Sequence, residues 1–75
     1  MTESNKQRIV KYFNLISGGF IINDFNQANL SCITFGASVR CAIAEVEAVI
    51  EELKTRNLTY AYHEAELTEL KAMLV

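Results

Sequence analysis

The sequence has no proline and no tryptophan, only three glycines, two cysteines and a single histidine. Without proline, no position is barred from helix interiors, and one class of turn marker is lost. Punctuation therefore falls to Gly18, Gly19, Gly36 and the Asn-rich stretch that follows residue 22. No apolar run approaches the length of a membrane span. The start of the chain is polar, with no short apolar segment ending in a small-residue cleavage site. A cytoplasmic, reduced setting is the expectation, with Cys32 and Cys41 as thiols.

Net charge is −2, which gives no general pull toward nucleic acid or anionic lipid. The charge is unevenly spread. Residues 1–35 carry Lys6, Arg8 and Lys11 against Glu3 and Asp24, whereas residues 36–75 carry seven acids against four bases.

What is abundant is apolar residues, 51% of a 75-residue chain. One domain spanning 1–75 is the expectation. So small a body buries a modest share of its surface. The surplus predicts a partner, a second copy of the chain being the simplest.

The fold expected is mostly α, with three helices and a C-terminal antiparallel helical hairpin. Ser4 and Gln7 have capping-box spacing, and Ile9, Tyr12, Phe13 and Ile16 form one face of a first helix over 4–17. Residues 20–35 are ambiguous. Ile33, Thr34 and Phe35 are β-prone and suggest a short extended segment, with a short helix near 24–30 as the alternative. Val39, Ile43, Val46, Ile50 and Leu53 recur every three or four residues and predict a helix over 37–56, widened by Ala42 and Val49. Asn57 or Thr59 then caps a last helix to Leu74, with Tyr60, His63, Leu67, Leu70 and Leu74 as its stripe. A short connection forces these two helices antiparallel. In this frame Cys41 lies opposite the main stripe, so it is either exposed or covered by a second surface.

No catalytic constellation stands out. His63 is the only base for a thiol at Cys32 or Cys41, and it falls within an apolar stripe. Cys32, Cys41 and His63 lack the spacing of a metal site. The carboxylates Glu51, Glu52, Glu64, Glu66 and Glu69 read as a solvated face. Ser17-Gly18-Gly19-Phe20 lacks the lysine and further glycines of a phosphate loop and reads as a helix end. No enzyme activity, cofactor or metal is expected.

The leading expectation is a non-enzymatic protein-interaction module: a regulator, adaptor or inhibitor that forms a homodimer. Its spare surface would be Phe20, Ile21, Ile22, Phe35, Val39, Ala42 and Val49. One alternative is a DNA-binding regulator of helix-turn-helix type, contacting phosphates through Lys6, Arg8, Lys11 and Arg40. The acidic remainder of the chain argues against it. Another is an enzyme with a site at a dimer interface, using Cys41 or His63.

Overall fold

The computed structural model describes residues 1–19, 21–28 and 32–74, the side chain of Cys32 excepted. Four helices follow one another: α1 over Glu3–Ile16, α2 over Phe25–Ala28, α3 over Cys32–Thr55 and α4 over Ala61–Ala72. There is no strand among the described residues. The mostly helical class and the C-terminal hairpin are as expected. The extended reading of residues 32–35 is overturned, since they form the first turn of α3. Phe20 and residues 29–31 lie outside the described residues.

Local chemistry explains each boundary. The N-cap of α1 is Thr2, not Ser4: its extended backbone lets Oγ1 accept from the Asn5 N–H at 3.2 Å. Gly18 and Gly19, at φ +70° and +147°, carry the chain out of α1. Asn14 then ties the following segment back to α1. Its amide donates to the Ile22 carbonyl at 3.1 Å, and its Oδ1 accepts from the Ile22 N–H at 2.8 Å. The single turn of α2 opens like a capping box: Asp24 accepts from the Gln27 N–H, and Gln27 accepts from the Asn23 N–H.

α3 runs one turn further back than expected because Gly36 does not interrupt it. Thr34 and Ser38 fit the helix as well, the buried Ser38 hydroxyl donating to the Thr34 carbonyl at 2.6 Å. A Cβ at Gly36 would meet only the Arg40 guanidinium, at 3.7 Å. Gly36→Ala is therefore expected to stabilise the fold by about 0.5–1 kcal/mol. In thermal unfolding this reads as a rise of about 2–8 °C; an unchanged or lower midpoint would mean α3 is not continuous there.

The hairpin turn is a Schellman motif. Asn57 takes φ +57°, Leu58 N–H bonds the Leu53 carbonyl at 2.9 Å, and Asn57 N–H bonds the Lys54 carbonyl at 3.1 Å. Neither Asn57 nor Thr59 caps α4; Tyr60 occupies that position with no side-chain cap bond. The antiparallel course shows in two contacts. Lys54 Nζ lies 5.3 Å from the Tyr60 ring centroid near the turn, and Lys71 reaches Glu47 further along. On the surface, Arg56 pairs with Glu52 one turn earlier.

The core lies where α1 and α4 meet α3. Ile9 and Phe13 of α1, Val39, Ala42, Val46 and Ile50 of α3, Leu70 of α4, and Ile22 and Ala28 between α1 and α3 are all buried. Tyr12, Phe25, Phe35, Ile43, Tyr60, Leu67 and Met73 pack around them. Phe25 of α2 meets Phe35 at a ring-centroid distance of 5.9 Å. Ile16 and Leu74, stripe residues at helix ends, are exposed, and Leu53 and His63 are half-buried outside the core cluster. None of the helices, over the described residues, is long and apolar enough to cross a membrane.

Candidate functional site

A dense polar cluster sits where α1 crosses the hairpin, joining Asn5, one turn before Ile9 on the buried face of α1, to charged residues from the helix flanks. Asn5 and Glu66 are buried, Glu66 with only 1% of its side chain exposed. Arg8 bridges the hairpin's two helices. Its Nε donates to Glu45 Oε2 of α3 at 2.9 Å, and its Nη1 to Glu66 Oε2 of α4 at 3.1 Å. The same Nη1 lies 2.9 Å from Asn5 Oδ1. The Asn5 amide in turn donates to the Glu66 carbonyl at 3.0 Å and to Glu69 Oε1 at 2.8 Å. Glu69 Oε1 also accepts from the Thr2 N–H. Glu45 is shared three ways, by Arg8, by Lys11 and by the Tyr12 hydroxyl at 2.7 Å.

This arrangement moves the titrations. Burial alone would raise the Glu45 carboxyl, but hydrogen bonds from Lys11, Tyr12 and Arg8 outweigh it and hold the group below its ordinary value. The Asn5 amide does the same for Glu69, helped by the Thr2 N–H against a smaller effect of burial. Burial works against the Arg8 charge, yet Glu66 and Glu45 raise its pKa. Lys11 is raised chiefly by its hydrogen bond to Glu45.

A carboxyl lowered in the folded state stabilises the fold above the unfolded value of about 4 and ceases to do so as pH falls through the folded value. A raised lysine stabilises below about pH 10 and ceases to do so as pH rises through its folded value. Thermal stability is therefore expected to be flat through neutrality and to fall below about pH 4, with Glu45→Gln and Glu69→Gln each flattening that acid limb. Melting curves across the range check it; an acid limb unchanged in both variants would contradict it.

The cluster's carboxylates face cations and amides instead of an open cleft. No group of three or more His, Cys, Asp or Glu among the described residues has the arrangement of a metal site. Cys41 is a free, half-buried thiol on α3. α4 starts level with Lys54, so Cys41 lies about 20 Å back along α3 from that point. His63 sits in the first turn of α4, its ring edge-on to Tyr62 at 5.8 Å, and its Nδ1 is buried without a hydrogen-bond partner. The thiol and the imidazole are not brought together. A groove of about 410 Å³ opens between α1 and α2, floored by Val10 and Phe25. Glu3, Lys6 and Lys11 of α1 line it together with Asp24, so neither sign of charge dominates.

The residues expected to form spare apolar surface divide. Ile22, Val39 and Ala42 are buried inside the single chain, where they complete the core and are closed to a partner. Phe35 packs against Phe25 and the core, and Val49 is half-buried. Ile21 stays exposed. The expected basic patch is also altered: Arg8 and Lys11 direct their charge into Glu45 and Glu66. Arg40 is exposed, and Lys6 lines the groove. Unexpected at the surface are Leu15 and Ile33. Leu15 is off the α1 stripe, which was a signal in the sequence. Ile33 was masked by its β-prone neighbours.

Comparison with protein-family models, with curated proteins and with solved structures finds no match.

Proposed function

We propose that the protein is a small non-enzymatic protein-interaction module, a regulator, adaptor or inhibitor that binds another protein and self-associates as a homodimer in a reducing, cytoplasmic setting. The observation that supports this reading is apolar surface left over outside a finished core. Leu15 is 71% exposed, Ile21 64% and Ile33 86%. Apolar side chains left in water mark contact surface where they form a contiguous patch. Leu15 and Ile21 bracket the Gly18-Gly19 turn, and the Asn14–Ile22 hydrogen bonds hold that segment against α1.

The test is sedimentation combined with affinity capture from the source cells under reducing conditions. The wild type is expected to self-associate or to retain a protein partner. Leu15→Lys with Ile21→Lys is expected to lose the captured partner while keeping its helical circular dichroism. A strict monomer that retains no protein would overturn the reading.

A further inference from the structure

α3 is apolar on two opposite sides. Val39, Ala42, Val46 and Ile50 face the core. At about 100° per residue, Ile33, Ala37, Cys41, Ala44 and Ala48 fall within roughly 80° of one another on the far side. Ile33, Ala44 and Ala48 are exposed, and Ala37 and Cys41 are half-buried. These positions carry no charge along about four turns. A solvated helix face carries charge; a helix apolar all round is one that gets covered. The described residues do not cover it. α1 meets α3 along the flank of Glu45, and α4 along the flank of Glu47 and Lys54. α2 meets α3 on its core side, through Phe25 and Phe35.

Resting on the reading of self-association, we infer that this face is covered by a second copy of the chain, with the two α3 helices antiparallel about a two-fold axis at Ala44. Charge selects both the occupant and the direction. Arg40 flanks the face and has no ion-pair partner among the described residues, and the same holds for the Glu51 carboxylate. Glu47 and Glu51 lie on the same flank as Arg40, two and three turns further along. A two-fold axis perpendicular to the helices reverses their direction and keeps this flank on the same side. Arg40 then comes level with the gap between the partner's Glu47 and the partner's Glu51, and symmetry repeats the match. Parallel pairing places the two Arg40 side chains at one level on opposite flanks, away from these acids. The alanines let the two helix axes approach to the short end of the usual range of about 8–10 Å.

The experiment is sedimentation equilibrium over roughly three decades of concentration, with circular dichroism on every variant. The wild type is expected to pass from monomer to dimer. Ala44→Glu is expected to stay monomeric with unchanged helix content, because the substitution is on the exposed side of α3. Arg40→Glu is expected to weaken dimerisation about tenfold or more, and Arg40→Glu with Glu51→Arg to restore it. In a Cys32→Ser, Cys41→Ser background, Ala44→Cys is expected to form a disulfide-linked dimer on oxidation.

Each opposite result overturns the inference in its own way. An Ala44→Glu dimer as tight as wild type removes this face while leaving self-association standing. A charge swap that fails to restore the dimer removes the antiparallel register. A wild type that is monomeric throughout removes the homodimer itself. Protein capture through Leu15 and Ile21 is decided by its own experiment.

Discussion

Phe13→Ala is expected to remove about 3–5 kcal/mol of stability, a large part of what a chain of this length has. Phe13 is among the largest fully buried side chains, and it stands where α1 presses on the hairpin. Truncating a buried phenylalanine costs about 3–5 kcal/mol, through lost burial and the cavity left behind. A domain of this length has about 4–11 kcal/mol in all. Loss of so large a share of that margin would appear in urea denaturation as a marked fall in the midpoint. Ile16→Ala is the internal control. The two residues share one stripe in the sequence, but Ile16 is 42% exposed, so its truncation is expected to change stability by less than about 0.5 kcal/mol. Equal losses at both positions would mean that α1 does not dock as described.

The second large effect belongs to Arg8. Arg8→Met strips Glu66 of its cation while leaving its carboxylate in the interior, where one oxygen, Oε1, already has no hydrogen-bond partner. Leaving a buried charge uncompensated costs about 3–5 kcal/mol. The expectation sharpens in the double variant. Arg8→Met with Glu66→Met removes both charges together and is expected to recover most of the loss, because apolar side chains of similar volume satisfy such a site about as well as ions do. Arg8→Lys is expected to behave more like Arg8→Met than like wild type. One ammonium cannot reproduce the fork that reaches Glu45 through Nε and both Glu66 and Asn5 through Nη1. A double-mutant cycle by chemical denaturation measures the coupling; strictly additive losses would contradict the bridging role.

The parts of this architecture that sequence periodicity reveals are those held by apolar burial along a regular helix. Val46 and Ile50 of the α3 stripe and the α4 anchor Leu70 lie in the core because a three-and-four spacing leaves such side chains no other face. The hairpin follows from the short link between them.

Three things were not legible, each for a physical reason. Residues 32–35 are β-prone one at a time, yet they continue a helix already paid for by the long stripe behind them, and Gly36 is tolerated there. Arg8 and Glu66 read as surface residues because burial of charged groups depends on a partner distant in the chain, and no local pattern encodes it. Ile22, Val39 and Ala42 read as surplus because the sequence does not show how much of the α3 face α1 covers.

The candidate interaction surface was legible in kind but not in place. The excess of apolar residues is a matter of composition. Ile21 is exposed as the sequence suggested, but the location on Leu15 and Ile33, and along the outer side of α3, required knowing which greasy residues the core had already consumed. Cys41 gave a positional hint for α3, since its place opposite the main stripe is visible on a helical projection.

A core closed within one chain, beside a second apolar face open to water, makes a specific demand on the methyl groups of α3. Their exposure to a soluble paramagnetic agent can be read by nuclear magnetic resonance in dilute and in concentrated solution. The methyls of Val39 and Val46 should be protected at both concentrations, while those of Ile33 and Ala44 should be bleached in dilute solution and gain protection as concentration rises. Bleaching of Val39 and Val46 in dilute solution would show that the core is not closed within the single chain.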